Sequence, residues 1–120
     1  MSDDPKDELK DIQDELTDER FQLPSQRAIR AAYRGDQNEL ESLLDSGYQV
    51  DKIDRLTGMA ALHMAVGRND LAMVKFLVEK GASFFPDRHG RWPSTIASLC
   101  EVSEELCDFI AEAEARVESV

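Results

Sequence analysis

The chain repeats itself with a period of about 33 residues. Residues 28–50 superimpose on residues 62–84 at a constant offset of 34, and a third copy follows the second at an offset of 32. A period in this range is typical of stacked supersecondary units, which bury their apolar faces only against one another. The matched positions are small or apolar: Ala31, Ala65 and Ala97; Leu40, Val74 and Leu106; Leu43, Leu77 and Phe109; Leu44, Val78 and Ile110. We therefore expect one short array of three repeats.

Each copy has the same internal order of elements. A short helix precedes a second helix with a Leu-x-x-Leu-Leu-like pattern, and glycine and an extended stretch with a turn follow. Gly47 and Gly81 are expected to end the second helices in the left-handed conformation, and Gly58 and Gly90 are expected at turns. Alanines should let the first helices approach closely: Ala31, Ala32, Ala61, Ala65 and Ala97. The predicted core comprises Leu40, Leu43, Leu44, Leu62, Ala65, Val74, Leu77, Val78, Leu106, Phe109 and Ile110.

The second copy resembles the ankyrin-repeat family. Residues 58–65, GMAALHMA, are similar to the family pattern G-x-T-P-L-H-x-A, with Ala60 and Ala61 in place of Thr and Pro. Residues 74–82 are similar to the V-x-x-L-L and G-A of the family's second helix and its end. The resemblance is specific for the fold and says little about the partner, because such arrays serve many binding functions.

The first and third copies are degenerate and are interpreted as terminal caps. Residues 87–97, DRHGRWPSTIA, keep Asp, Gly, Pro and Ala but place Trp92 at the Thr position. The first copy lacks the hairpin and the T-P-L-H motif yet keeps residues 31–36, AAYRGD. The resemblance implies an all-α, ankyrin-like helix-turn-helix repeat solenoid with short hairpin loops. The predicted domain is 25–120, with repeats at about 25–53, 54–86 and 87–113 and then a short acidic tail.

An acidic helix is predicted before the repeats. Residues 1–20 hold nine acidic and three basic side chains, and Leu9, Ile12 and Leu16 recur at helical spacing. A helix over about 7–19 and a linker ended by Pro24 would make residues 1–24 a separate segment. Whether this helix is ordered only when docked stays open. One alternative is that it folds across a basic groove as an intramolecular lid.

Charge limits the partners of the chain. The net charge is −11, with −6 in residues 1–20, −6 in residues 101–120 and +1 between them. Such a chain repels phosphate backbones and anionic lipids, so binding to nucleic acid or to a membrane is not expected. The acidic start is unlike a secretory leader, and no run approaches the ~20 apolar residues of a membrane span. These features predict a cytoplasmic protein, expected to be a monomer.

The histidines and cysteines are predicted to be structural. The resemblance implies that His63 makes hydrogen bonds near the hairpin, whereas His89 is expected in an exposed loop. Cys100 and Cys107 are expected about 10 Å apart along one helix, too far for a disulfide, with acidic neighbours that disfavour a thiolate. No phosphate loop, G-x-S-x-G or H-E-x-x-H motif occurs. We expect neither an enzyme nor a metal or cofactor site.

The candidate binding surface is the concave face that the resemblance implies, formed by first helices and hairpin tips. Arginine and aromatic side chains contribute strongly to interfaces, and three arginines of the first helix share one stripe. The candidates are Arg27, Arg30, Tyr33, Arg34, Arg55, Leu56, Met59, Met64, Arg68, Phe85, Arg88, His89, Arg91 and Trp92, with Lys52 as a further tip residue. The alternative is that these arginines only solvate the helix or pair with the acidic N-terminal helix.

Two functions of different kinds follow. The first is a non-catalytic intracellular protein–protein interaction module that binds a protein partner through its concave face and hairpin tips. The second is an acidic inhibitor, like an immunity protein or antitoxin, that neutralises a basic enzyme or toxin. The two acidic ends favour the second through faster association with a basic partner, which predicts a strong dependence on salt. A bare structural scaffold is a third possibility.

Overall fold

The computed structural model of the protein describes residues 23–118, which form six helices and no strand. The helices are α1 (Pro24–Arg34), α2 (Gln37–Asp45), α3 (Ala61–Gly67), α4 (Leu71–Glu79), α5 (Pro93–Leu99) and α6 (Glu104–Glu118). They pair as α1–α2, α3–α4 and α5–α6, so the predicted all-α repeat fold is confirmed. The helix predicted over 7–19 lies outside the described residues.

The first helices of the three repeats form a row. Helix α1 packs on α3, and α3 packs on α5, in addition to the contacts within each pair. Alanine side chains at these contacts are almost completely buried: Ala28, Ala31, Ala32, Ala61, Ala65 and Ala97. Because a methyl group occupies so little space, these helices can approach one another closely. The expected role of the alanines is confirmed.

The core is continuous through all three repeats. Its largest fully buried side chains include Leu40, Leu62, Leu77, Leu106 and Ile110. Three residues predicted for the core are only half-buried: Leu44, Val78 and Phe109. The physical reason is helical rotation, because a residue directly before or after a buried one points about 100° away from it on the helix, as Phe109 does before Ile110. The apolar stripe is therefore narrower than the sequence predicted.

Equivalent side chains begin the second helix of each repeat. A carboxylate oxygen of Asp36 accepts a hydrogen bond from the backbone N–H of Glu39, and Asp70 does the same for Met73. The hydroxyl of Ser103 accepts one from the backbone N–H of Leu106. These are N-caps, which satisfy N–H groups that the first turn of a helix leaves without a partner.

The turn within each helix pair contains a residue with positive φ. Gly35 has a φ of 73°, Asn69 of 57° and Glu101 of 52°. At Gly35 a β-carbon would lie 2.9 Å from a carboxylate oxygen of Asp70, so glycine is required there for space as well. The expected left-handed conformation of Gly47 and Gly81 is confirmed, with φ of 103° and 97°.

The turn at Glu101 corrects the expected environment of the two cysteines. Cys100 ends α5 and is exposed, whereas Cys107 is half-buried in α6, so no single helix contains both. The expectation of one helix was wrong because Ser103 caps a new helix. Both thiols are free, as predicted. None of the helices within residues 23–118 combines the length and the apolar character needed to cross a membrane.

We predict that Leu77→Ala destabilises the protein by about 2–5 kcal/mol, because it leaves a cavity in the middle of the core. The free energy of unfolding in urea measures this. Leu99→Ala is the control, since Leu99 is 68% exposed on α5 and its truncation should change stability by less than about 0.5 kcal/mol. Equal losses in the two variants would contradict the assigned core.

We predict that Glu101→Gly stabilises the protein by up to about 1 kcal/mol, because glycine adopts positive φ without the steric cost of a β-carbon. The melting temperature and the urea midpoint report the change. Glu101→Ala removes the same charge but keeps the β-carbon, so it should give no such gain. A comparable gain from alanine would assign the effect to charge instead of backbone strain.

Candidate protein-binding groove

A buried carboxylate organises the first loop, residues 46–60, beside α1. The Asp54 side chain accepts hydrogen bonds from the backbone N–H and the hydroxyl of Thr57, at 2.9 and 3.0 Å. Its other oxygen accepts one from the Ser25 hydroxyl at 3.2 Å. Since Ser25 lies in the first turn of α1, Asp54 fixes the turn of the loop and joins it to that helix.

Asp87 plays the equivalent part in the second loop, residues 80–92. Its carboxylate accepts hydrogen bonds from the backbone N–H groups of His89 and Arg91. It also forms an ion pair with the Arg91 guanidinium at 2.8 Å. Burial would raise the pKa of Asp87, but these hydrogen bonds and the charge of Arg91 hold that pKa below its usual value. The carboxylate is therefore ionised, and its hydrogen bonds and its ion pair are all formed with residues of the same loop.

The two loops contact each other at their tips. The backbone N–H of Arg88 donates to the carbonyl of Gly58 at 2.9 Å, and its guanidinium donates to the carbonyl of Arg55 at 3.1 Å. Gly58 has a φ of 72°, and a β-carbon there would lie 3.0 Å from the ring of His89. A residue other than glycine would require the His89 side chain and the β-carbon of Arg88 to shift, so packing favours glycine here as well as φ.

His63 joins the second loop to α3. Its Nδ1 accepts a hydrogen bond from the backbone N–H of Ala60 at 3.1 Å, so Nε2 carries the proton and donates to the carbonyl of Phe85 at 2.8 Å. The Phe85 ring packs edge-on against the imidazole, with ring centroids 5.3 Å apart. The predicted structural role of His63 is confirmed. Burial lowers its pKa, while the Phe85 hydrogen bond and the Asp87 charge oppose that shift only in part.

A groove lies where α1, the first loop and α3 meet. It encloses about 340 Å³, and we call it the central groove. Two of its apolar side chains, Tyr33 and Leu56, are 52% and 54% exposed. Its described lining is Gln26, Ile29, Arg30, Tyr33, Asp54, Leu56, Thr57 and Met64. Four of these eight residues are apolar and four are polar, and such a combination of apolar side chains with polar groups is typical of binding clefts.

A second depression, of about 460 Å³, adjoins the central groove, and we call it the basic pocket. Its described lining is Leu23, Pro24, Ser25, Lys52, Ile53, Arg55 and Arg88. Ser25 lines the basic pocket and its hydrogen-bond partner Asp54 lines the central groove, so the two meet at that bond. Among the described residues of both linings, Asp54 is the single carboxylate, and both its oxygens accept hydrogen bonds.

The structure brings together part of the predicted binding set. Arg30, Tyr33, Leu56 and Met64 line the central groove, and Arg55 and Arg88 line the basic pocket. The guanidinium of Arg68 lies 4.2 Å above the Tyr33 ring, and its Nε donates to the Tyr33 carbonyl. Arg34 is exposed at the end of α1, next to Tyr33.

The other predicted residues line neither depression. Arg27 forms an ion pair with Glu39 of α2 at 2.7 Å, and Arg91 is held by Asp87. Trp92 is 38% exposed at the start of α5. The remaining three make contacts described above or pack on the core: Met59, Phe85 and His89.

Sequence reasoning missed four residues of the central groove: Gln26, Ile29, Asp54 and Thr57. Residues 26, 29, 30 and 33 recur at helical spacing, so the period of α1 could have placed Gln26 and Ile29 beside Tyr33. Nothing in the sequence pairs Asp54 with Ser25, because 29 residues separate them. Within residues 23–118 there is also no group of three or more histidine, cysteine or acidic side chains arranged to hold a metal ion.

Comparison with known families agrees with this architecture. A family model described as ankyrin repeats, in three copies, matches residues 28–120. The match covers most of the chain, and the chain therefore belongs to the ankyrin-repeat family. Ankyrin repeats are general protein–protein interaction modules and are typically non-catalytic.

We predict that His63 makes the fold less stable as the pH falls below about 6.5. Its pKa is lowered in the folded protein, so below that pH the unfolded chain takes up a proton that the folded chain does not. The decrease in the free energy of unfolding ends once the pH is below the pKa of His63 in the folded protein. Urea unfolding between pH 7.5 and pH 5 measures this slope.

His63→Gln should remove that slope, because a glutamine at the third position of α3 keeps one acceptor and one donor but does not titrate. His89→Gln is the matched control. This variant should keep the slope, because it leaves both hydrogen bonds of His63 in place. Loss of the slope in the His89 variant, with retention in the His63 variant, would contradict the prediction.

Proposed function

We propose that this protein is a non-catalytic interaction module that binds a segment of a protein partner in the central groove and the basic pocket. The observation that carries the proposal is the half-exposed pair Tyr33 and Leu56 on the rim of an apolar groove. Complete burial of an exposed leucine side chain contributes roughly 1.5–3 kcal/mol, and Leu56 still has about half of that gain to make because it is 54% exposed. A partner that covers the groove therefore gains apolar burial from two neighbouring side chains at once.

The surroundings of the groove also favour binding. Asp54 holds the first loop to α1, so Leu56 is presented on a fixed turn and little conformational freedom is lost on binding. Arg68 stacks on Tyr33 and orients its ring. Lys52, Arg55 and Arg88 place positive charge at one end, which favours a partner segment that combines apolar and acidic side chains.

The cellular setting proposed for the module is the cytoplasm. The thiol of Cys100 is exposed and free, which supports a reducing compartment. The net charge of −11 makes two copies repel each other, and this supports a monomer.

We predict that Tyr33→Ser with Leu56→Ser weakens partner binding by about 30-fold or more, since central interface residues contribute on the order of 1 kcal/mol or more each. The immobilised full chain would be used to isolate the protein that it retains in the greatest amount, chosen without reference to these two residues. The dissociation constant of that purified protein would then be measured by calorimetry for both forms of the chain.

Leu99→Ser is the control for a general loss of exposed apolar surface, because Leu99 is 68% exposed on α5 and lines neither depression. It should leave the dissociation constant unchanged. The proposal is wrong if Leu99→Ser weakens binding as much as the double variant does. It is also wrong if the double variant binds normally.

A second candidate function is an acidic inhibitor of a basic protein, and one observation favours it. Helix α6 and the turn before it expose a series of carboxylates: Glu101, Glu104, Glu105 and Asp108. A partner held there would associate more slowly at high salt, because surface charges are screened. Glu104→Gln with Glu105→Gln would slow its association, whereas the Tyr33 and Leu56 variant would not.

A further inference from the structure

We propose that the acidic N-terminal segment of this chain, residues 1–22, occupies the central groove and the basic pocket of the same molecule. The inference deepens the proposed function, since it relies on the same groove and names the segment that a partner must displace.

The first argument is charge complementarity. Basic side chains lie at the two depressions or beside them: Lys52, Arg55, Arg68 and Arg88. The described lining contributes one carboxylate, Asp54, which is buried and hydrogen-bonded to Ser25 and Thr57. Residues 1–20 carry nine acidic and three basic side chains. The segment and the surface therefore attract each other.

The second argument is the apolar pattern of the segment. Leu9, Ile12 and Leu16 recur at spacings of three and four residues, which places them on one side of a helix. A stripe of three such residues needs an apolar surface to pack against, because an isolated helix of this length is marginal in water. The central groove provides such a surface, with Tyr33 and Leu56 about half exposed.

The third argument is the point from which the segment starts. Leu23 is 56% exposed and lines the basic pocket, so the preceding residues leave from the edge of the two depressions. Leu16 lies seven residues before Leu23. Those residues span about 10 Å as a helix and up to about 24 Å when extended, so the chain allows both the pocket and the adjoining groove to be reached.

A third depression, of about 550 Å³, is a weaker site for the segment. It is lined by Pro24, Arg27, Leu43, Ser46, Gly47, Tyr48, Gln49 and Lys52. The charge of Arg27 is already paired with Glu39. Leu43 is only 4% exposed, and much of the remaining lining is polar. This depression thus offers the segment less positive charge and less exposed apolar surface than the central groove and the basic pocket do.

Attachment favours this segment over an acidic segment of another molecule. A separate acidic segment is also attracted by the basic pocket, but it must be ordered from dilute solution and must approach a protein with a net charge of −11. A segment joined by a short linker has an effective concentration in the millimolar range. A partner that uses the groove therefore competes with residues 1–22, and its apparent affinity is lowered by that competition.

The test uses a fluorescein-labelled peptide with the sequence of residues 1–22, added to the full chain and followed by anisotropy. A full chain with Leu9→Ser, Ile12→Ser and Leu16→Ser has a disabled segment and an open groove. We expect this triple variant to bind the peptide about tenfold or more tightly than the unchanged chain does, because the competing segment is gone. Equal affinity of the two chains would overturn the proposal.

Two controls make the result specific. A full chain with Gln13→Ser and Thr17→Ser keeps the apolar stripe, so it should bind the peptide as weakly as the unchanged chain. Adding Leu56→Ser to the triple variant should abolish the tight binding, whereas adding Leu99→Ser should not. Loss of binding with Leu99→Ser but not with Leu56→Ser would overturn the assignment to the groove.

The experiment also separates this inference from the proposed function. If the triple variant fails to bind the peptide while Tyr33→Ser with Leu56→Ser still weakens partner binding, the segment does not use the groove and the proposed function stands. If the unchanged chain sediments as a dimer and the triple variant sediments as a monomer, the segment occupies the groove of a second copy. Occupation of the groove in the same molecule is then overturned.

Discussion

The first helices of the three repeats pack side by side through alanine side chains, and the arrangement of the loops depends on that close approach. Ala31 and Ala32 on α1, with Ala61 and Ala65 on α3, are nearly inaccessible to solvent. Because these helices lie so close, the loops that precede α3 and α5 also stack, and the backbone of Arg88 donates to the carbonyl of Gly58. The central groove lies between α1, the first loop and α3, so its shape follows from the same packing.

Buried carboxylates convert this packing into a fixed surface. Asp54 and Asp87 each accept hydrogen bonds within their own loop, and Asp54 also binds the hydroxyl of Ser25 on α1. Both carboxylates are therefore buried and bonded to groups of the protein itself, so they add little negative charge to its surface. Exposed basic side chains such as Arg55 and Lys52 then dominate the basic pocket, although the chain as a whole is strongly acidic. A locally basic surface on an acidic chain is the electrostatic feature that separates this face from α6.

Much of the fold could be predicted from the sequence because it depends on the repeat period. The offset between copies predicted the helices, the left-handed glycines and most of the core. The L-H-x-A motif predicted the structural hydrogen bonds of His63. The details that failed depend on single residues. Leu44 and Val78 match core positions in the alignment but lie at the margin of the apolar stripe. Ser103 begins a new helix where a continuous one was expected.

The binding surface was harder to predict because it depends on contacts between distant parts of the chain. Arg27 and Arg30 are three residues apart, yet Glu39 of α2 takes the charge of Arg27 while Arg30 lines the groove. The sequence indicates only a turn residue at Asp54, because its hydrogen bond from the Ser25 hydroxyl joins distant parts of the chain. The apolar pair Tyr33 and Leu56 was predicted for the same face, because both come from elements that the repeat pattern places there.

Site-specific photo-cross-linking tests the central claim, that the groove is where this protein binds another segment of polypeptide. A photoreactive amino acid would replace Leu56 in the full chain, with Leu99 and Glu105 as comparison positions on α5 and α6. The account predicts efficient cross-linking from position 56, either to residues 1–22 of the chain or to a partner protein, and little from positions 99 and 105. Cross-links that form mainly from position 99 or 105, with none from position 56, would contradict it.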